Sequence, residues 1–170
     1  MLNYNIRISG IKDGNHEYFF NIDGKFFESY VESEVTNSNI KVSCNLFKDG
    51  NKLKLSLNFE GTILNLNCDL CAGSVNLQII NSIDVFLQET ENTMEDTDEI
   101  VYIQCNQSQL DISQLIYEGI ILSVPSKIEH SGEKNDICNK EMMVLLDKYA
   151  EKEKKNDPRW DDLNKLKDLI

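Results

Sequence analysis

Alternating apolar residues on either side of a short polar corner constrain the fold of this chain more than any other feature. From Lys52 to Phe59 every second residue is Leu or Phe, and the residues between them are polar. A period of two is that of a strand with one buried face. The alternation resumes after Gly61 and returns at 75–79, beyond the corner at 68–71. The pattern therefore predicts two antiparallel strands that meet at residues 68–71.

Asp-Gly pairs predict further turns, because both residues tolerate the backbone conformations of tight hairpins. Asp23-Gly24 predicts a hairpin with strands at 17–22 and 25–30, and Asp49-Gly50 predicts another turn. Apolar residues at 83, 85 and 87 predict one more strand after the corner. The first two-thirds of the chain is therefore expected to form a sheet.

Capping signals predict helices in the C-terminal third. Asp111 is expected to cap a first helix, and Gln114 completes a capping box with it. A second helix is predicted at 140–155. Asp157-Pro158 is expected to open a third, because proline fits the first turn of a helix.

Length and apolar content suit one domain that spans residues 1–170. The chain has 170 residues, of which 41% are hydrophobic. We expect an α+β fold in which an antiparallel sheet, open or barrel-like, packs against helices from the C-terminal third. Residues 1–88 are expected to be mostly β, 89–99 to be an acidic mobile loop, and 100–170 to be β and then helical. The carboxylates of 89–99 form either a solvated loop or a docking strip for a basic partner.

The charge balance limits the classes of partner. Lysine and arginine number 17 against 29 aspartate and glutamate, a net charge of −12, and the only arginines are Arg7 and Arg159. Broad nucleic-acid surfaces need many cations to neutralise phosphates, so direct RNA contact is expected to be small or local. If the protein works near RNA, we expect it to act through a basic protein partner or a small local patch. The N-terminal residues lack a secretory pattern and no apolar run reaches membrane-span length, so we expect a cytoplasmic protein without a membrane partner.

Cys68 and Cys71 form a Cys-x-x-Cys pair at the corner, which is half of a tetrahedral zinc site. His130 and Cys138, in the polar loop 126–139, are the candidates for the other half. The four together give a Cys3His set, a common closed structural site. Two alternatives stay open: a carboxylate replaces His130 as ligand, or the cysteines are reduced and hold no metal. The carboxylates in question are those of Asp69, Glu129 and Asp136.

A dithiol oxidoreductase is the enzymatic alternative for the same pair. Such motifs open a helix whose dipole lowers the pKa of the first thiol, whereas Cys71 is followed by Ala72-Gly73-Ser74 and a strand-like run. Two histidines in all leave little material for acid–base catalysis, so we expect no enzyme and no catalytic residues. Cys44 and Cys105 lie in alternating segments and are expected in the core.

Three groups of residues, in a fixed order, resemble a known family. The first is the run 8–14 followed by Phe19-Phe20, Asp23 and Phe26-Phe27, and the second is the corner with Cys68 and Cys71. The third is Ile120 to Pro125, then His130 and Cys138, closing with Asp157-Pro158-Arg159-Trp160 and Leu163 and Leu166. Together they resemble the YceD family, the large ribosomal RNA subunit accumulation proteins of bacteria and plastids. The last loop resembles that of Bacteroidota-type members.

The resemblance implies a non-enzymatic factor in large ribosomal subunit biogenesis that supports 23S rRNA accumulation. The family's gene commonly lies beside that of a small zinc-binding ribosomal protein, so the implied partner is a basic ribosomal protein or a large-subunit precursor. Arg159 and Trp160 are the candidate partner-binding residues. Leu70 stands where the family usually has Arg, which removes a phosphate contact from the corner. A zinc-stabilised interaction module without a ribosomal role is the alternative.

Overall fold

The computed structural model describes residues 4–30, 33–92, 94–132 and 136–150. Within these ranges the chain forms seven strands and three helices. The strands are β1 (Asn5–Arg7), β2 (Gly14–Ile22), β3 (Asn37–Asp49), β4 (Lys52–Asn67), β5 (Ser74–Thr90), β6 (Ile100–Gln104) and β7 (Gln109–Asp111). The helices are α1 (Gly24–Phe27), α2 (Ser113–Leu122) and α3 (Lys140–Tyr149).

The main sheet has the strand order β2-β3-β4-β5-β6. Its first four strands pair antiparallel, whereas β6 pairs parallel to β5, with Phe86 opposite Ile100. Strands β1 and β7 form a separate antiparallel pair. The predicted α+β class is confirmed. The barrel-like variant is wrong for the described strands, because β2 and β6 are the two edges of an open sheet.

The alternation of β4 puts its apolar residues on one buried face. Leu55, Leu57 and Phe59 are each at most 1% exposed, and they lie opposite Leu46, Cys44 and Val42 of β3. Helix α2 contributes Ile116 and Ile120 to the same core. The period of two in the sequence therefore marks the core face correctly, because successive strand side chains point to opposite sides of a sheet.

The Asp23-Gly24 hairpin prediction is wrong. The Asp23 carboxylate accepts a hydrogen bond from the Lys25 N–H (3.1 Å) and caps the short helix α1 instead. Phe26 and Phe27 are both buried. Consecutive residues of a strand point to opposite faces, so a helical turn is what lets both rings reach the core. Strand β2 pairs with β3 instead of with residues 25–30.

Two other strand predictions have different outcomes. Asp49-Gly50 does form the turn between β3 and β4, with Gly50 at a φ of 58°. The separate strand expected at 83–87 is wrong, because β5 runs unbroken from Ser74 to Thr90. Even numbers of residues separate the buried positions of β5, so a single strand places all of them on one face; they are Val75, Ile79, Val85 and Leu87.

The helices partly match their predicted bounds. The Asp111 carboxylate accepts from the Ser113 N–H (2.9 Å), but the N-cap of α2 is the next residue, Ile112, which makes no side-chain cap bond. The capping box is also wrong, because Gln114 Nε2 donates to Glu118 Oε1. Helix α3 begins at Lys140 as expected and ends at Tyr149, where extended backbone at Ala150 stops it. The helix predicted from Asp157 lies outside the described residues. None of the described helices has the length and apolar character needed to cross a membrane.

The end of the acidic segment 89–99 is hydrogen-bonded to the sheet. The Asp96 carboxylate accepts from the Tyr102 N–H (2.7 Å), and the Phe86 N–H donates to the Glu99 carbonyl (2.8 Å). Thr97 also donates its N–H to the Ile100 carbonyl (2.9 Å). Asp96, Thr97 and Glu99 are therefore bonded to neighbouring strand residues, and Glu89 and Thr90 are part of β5, so the loop is shorter than expected. The mobility of the residues between them stays a prediction.

Candidate metal centre

The corner between β4 and β5 points two thiols in one direction. The Cys68 N–H donates to the Gly73 carbonyl (2.8 Å), and the Ala72 N–H donates to the Cys68 carbonyl (2.8 Å). Ala72 has a φ of 53°, a left-handed conformation that tightens the turn. Cys68 and Cys71 are both buried. The turn thus presents its sulfurs to the protein interior rather than to solvent.

Two hydrogen bonds attach the loop 126–139 to this corner. The Asp69 N–H donates to the Ile128 carbonyl (2.8 Å), and the Ile128 N–H donates to the Asp69 carboxylate (2.6 Å). Asn139 then caps α3 with its side chain, accepting from the Glu141 N–H (2.9 Å). The loop is therefore held at the corner on one side and at the start of α3 on the other.

The four predicted ligands meet where the loop crosses the corner. The donor atoms of Cys68, Cys71, His130 and Cys138 all lie within 4.8 Å of one another. The Sγ atoms of Cys68 and Cys138 are 3.9 Å apart. Zinc–sulfur bonds of about 2.3 Å in a tetrahedron place two sulfurs ~3.8 Å apart, whereas a disulfide needs about 2.0 Å. The spacing fits a shared metal ion better than a bond between the thiols.

His130 is oriented by a carboxylate on its own loop. Its Nδ1 lies 2.6 Å from Oδ1 of Asp136, and the Ser131 N–H donates to Oδ2 of Asp136 (2.6 Å). Nδ1 therefore carries a proton, which leaves the Nε2 lone pair for a metal. A methyl group built on Gly73 would lie 3.3 Å from that Nε2 and 3.2 Å from Cys71 Sγ. Because Gly73 has no side chain, the space between His130 Nε2 and Cys71 Sγ stays open.

A known protein family matches most of this chain. The family model described as "Large ribosomal RNA subunit accumulation protein YceD" matches residues 55–167, well over half of the chain. The chain belongs to the YceD family. No curated protein and no solved structure matches it. The match includes the corner and the loop 126–139, so the candidate metal centre lies inside the YceD region. The Bacteroidota type stays a prediction.

The thiols of this YceD member differ in acidity. A hydrogen bond from the Asn139 backbone, with others from Gly73, Cys68 and His130, lowers the pKa of Cys71 to about 6. Burial and the neighbouring sulfurs of Cys68 and Cys71 raise the pKa of Cys138 to about 11. Metal ligands must be deprotonated, so a bound cation would displace a proton from Cys138 at neutral pH.

The His130–Asp136 pair has complementary shifts. The hydrogen bond with Asp136 raises the pKa of His130. The hydrogen bond from the Ser131 N–H, with a smaller effect from the hydrogen bond with His130, lowers the pKa of Asp136 to about 2. A carboxylate that stays ionised and bonded to Nδ1 is the usual support for a metal-binding imidazole. The sequence alone offered Asp136 only as a replacement for His130, and missed this supporting role.

The other predicted residues have varied positions. Asp69 bonds the Ile128 backbone and Glu129 pairs with Lys127, so neither carboxylate belongs to the four-residue ligand set. Cys44 is in the core as expected, and burial raises its pKa to about 12. The core prediction for Cys105 is wrong, since it is exposed just beyond β6, after the alternation ends. Arg159 and Trp160 lie outside the described residues.

Proposed function

We propose that this chain is a non-enzymatic factor in large ribosomal subunit biogenesis. It supports 23S rRNA accumulation in the cytoplasm by binding a basic ribosomal protein or a large-subunit precursor. The family match over residues 55–167 carries the proposal, because the family's description concerns accumulation of large-subunit ribosomal RNA. The partner and the mode of action are inferred from charge and geometry.

The charge of the chain supports a protein partner. With a net charge of −12, its field repels RNA phosphates and attracts the lysine- and arginine-rich proteins that assemble on ribosomal RNA. An acidic factor that covers such a protein before assembly would keep it from premature contact with RNA.

Zinc has a structural role in this proposal. Three sulfurs and one imidazole nitrogen would supply all four ligands that a structural zinc ion takes, which would leave no open position for a substrate or water. Structural zinc sites contribute on the order of 10 kcal/mol when they form. Here the metal would fasten the loop 126–139 to the end of the β4–β5 hairpin, in addition to the Asp69–Ile128 hydrogen bonds.

Deletion of the gene in its own host, followed by sedimentation of the extract, tests the proposal. We expect less 23S rRNA relative to 16S rRNA, and restoration of the ratio by the wild-type gene. The tagged protein should co-migrate with immature large subunits at low salt and dissociate as salt rises. An unchanged rRNA ratio together with migration only in free fractions would contradict the ribosomal role.

The second candidate is a zinc-stabilised interaction module without a ribosomal role. The four converging ligands favour it, because they support a metal centre whatever the partner is. Migration separates the two candidates: a module of this kind would bind zinc and a protein partner while remaining absent from ribosomal fractions.

A dithiol oxidoreductase is the less favoured third candidate. Its support is the lowered pKa of Cys71, which arises from hydrogen bonds, led by that from the backbone of Asn139 at the N-cap of α3. Zinc bound at all four ligands would remove the thiols from redox chemistry. Catalytic reduction of a disulfide substrate by the reduced, metal-free protein would favour this candidate.

A further inference from the structure

A groove lies between helix α2 and the segment that leads into β6. Its volume is about 460 Å³. The floor is apolar and the rim is acidic, and neither contains a lysine, arginine or histidine among the described lining residues. The floor includes Ile83, Val101 and Leu115, and the rim includes Asp96, Asp98 and Glu118.

The rim carboxylates are held by the fold on both sides. The Tyr102 N–H fixes Asp96 in the segment before β6, and Gln114 Nε2 donates to Glu118 on α2 (2.8 Å). Both carboxylates keep oxygen lone pairs for further donors, since an ionised carboxylate has about four acceptor positions. The groove thus presents positioned negative charge above an apolar surface.

The groove lining also includes a largely exposed apolar residue at the C-terminal end of α2. Leu122 closes α2, lines the groove and is 77% exposed. An isolated exposed leucine is ordinary, but here it extends an apolar floor that is already concave. A ligand with apolar side chains would bury Leu122 together with that floor.

We propose that this groove binds a lysine- and arginine-rich amphipathic segment of a partner protein, with apolar side chains on the floor and cations at the rim. The inference rests on the proposed function and deepens it by locating the surface for the basic partner. RNA does not fit, because the described lining offers phosphates no cation. A second copy of the chain does not fit either, because each copy carries a charge of −12.

Binding of a labelled synthetic peptide to the full-length protein tests the groove. The probe is a short peptide with leucine and lysine at helical spacing, and fluorescence anisotropy reports its binding at low and high salt. Asp96→Asn/Asp98→Asn/Glu118→Gln should weaken binding about tenfold or more. The control Asp13→Asn/Glu17→Gln/Glu60→Gln removes the same formal charge from exposed positions elsewhere, and should change binding by less than about twofold.

Three results would overturn the inference. The first is that the wild-type protein does not bind the peptide. The second is that the groove variant and the control variant weaken binding equally, and the third is that neither variant weakens binding. Equal weakening would mean that only total charge matters. If circular dichroism shows that the groove triple variant is unfolded, the single substitution Leu122→Ser replaces it. It should weaken binding several-fold while leaving the fold intact, because Leu122 is largely exposed.

Photo-crosslinking from position 122 identifies the occupant. We expect a crosslink to the peptide, and the same crosslink to a basic protein when large-subunit ribosomal proteins are added. A crosslink to residues 151–170 of the chain, or to a second copy, that the peptide does not displace would contradict the inference. So would displacement of the peptide by single-stranded RNA at equal concentration.

Co-sedimentation with immature large subunits separates this inference from the proposed function. If the wild-type protein co-sediments and the groove variant binds the peptide equally well, the groove inference fails and the ribosomal role stands. If the peptide results are as expected but the wild type neither co-sediments nor restores 23S rRNA, the ribosomal role fails and the groove stands as a site for basic segments.

Discussion

His130 and Asp136 form a 2.6 Å hydrogen bond that directs the free imidazole nitrogen toward three cysteine sulfurs. The two residues are six positions apart on one loop, and the Ser131 N–H holds the second carboxylate oxygen. The imidazole is mostly buried, with 9% of its side chain exposed. The ligand is therefore oriented before any metal binds, which lowers the conformational cost of binding.

Asp136→Asn should weaken zinc binding by about 10- to 100-fold, the usual effect of losing a carboxylate that supports a metal-binding histidine. The asparagine amide can still contact Nδ1 but carries no charge to favour the proton there. Competition with a chromophoric chelator measures the dissociation constant. Asp84→Asn is the control, because Asp84 pairs with Lys54 on the sheet (2.9 Å) and is not part of the ligand set. Unchanged affinity in Asp136→Asn would contradict a supporting role.

Cys138→Ser should abolish stoichiometric zinc. The wild-type protein, purified without chelator, is expected to contain about one zinc ion per chain, because one closed four-ligand set is present in the described residues. A serine hydroxyl is a poor zinc ligand at neutral pH, so the variant should contain little metal. Cys105→Ser, at an exposed cysteine outside the set, should keep its zinc. Elemental analysis makes the comparison, and a metal-free wild type would contradict the site.

Removing zinc should loosen the loop without unfolding the sheet. We expect amide hydrogen exchange at 126–132 to accelerate at least about tenfold after chelation. Exchange at 53–59 should stay slow, because β4 is paired on both sides within the sheet. The hydrogen bonds between Asp69 and Ile128 remain as a weaker connection. Equal acceleration in the loop and in β4 would mean that the metal stabilises the whole fold, and no change would mean that it stabilises neither.

Local patterns in the sequence were enough to predict the sheet but not the path of every segment. The alternation from Leu53 to Phe59 marks a buried face because strand geometry alone fixes which residues share it. Asp23-Gly24 is ambiguous, since the same aspartate that favours a turn also caps a helix. The helix forms here because it buries both Phe26 and Phe27. That burial depends on contacts with residues distant in the sequence, such as Tyr4 and Tyr117.

The sequence was enough to name the four candidate ligands of the metal centre. It was not enough to find the hydrogen bonds that bring these ligands together and orient His130. Cys68 and Cys71 lie on one turn, so their convergence follows from the sequence. Bringing Cys138 to the same place depends on the hydrogen bonds of Asp69 to Ile128, which join residues 59 positions apart. No local pattern reports such a pair, and none distinguishes a carboxylate that binds metal from one that orients a histidine.

The acidity of Cys71 gives a prediction about pH. In metal-free, reduced protein its alkylation rate should rise with a midpoint near pH 6, because hydrogen bonds from Asn139 and other neighbours lower its pKa to about 6. Below that pH the thiol is protonated and unreactive; above it the thiolate reacts. Mass spectrometry of iodoacetamide-treated protein follows the site. Cys44, whose pKa burial raises to about 12, should stay unmodified throughout. A midpoint between pH 8 and 9, as in a free thiol, would contradict the hydrogen-bonded geometry.

Gly119→Ala tests whether α2 packs on the sheet as closely as the structure indicates. A methyl group at Gly119 would lie 2.4 Å from Phe59 Cζ and 2.8 Å from Ile83 Cδ1, well inside contact distance. Alanine favours a helix by about 1 kcal/mol over glycine, whereas overpacking a core costs about 1–3 kcal/mol. We expect the crowding to dominate and the free energy of unfolding in urea to fall by ~1–2 kcal/mol.

The neighbouring substitution Glu118→Ala provides the matched control for that measurement. It lies on the same turn of α2 and lines the groove rather than the core, so the free energy of unfolding should change by less than about 0.5 kcal/mol. If Gly119→Ala stabilised the protein instead, helix propensity would outweigh the contact. Helix α2 would then sit farther from Phe59 than described, and the groove between α2 and β6 would be wider.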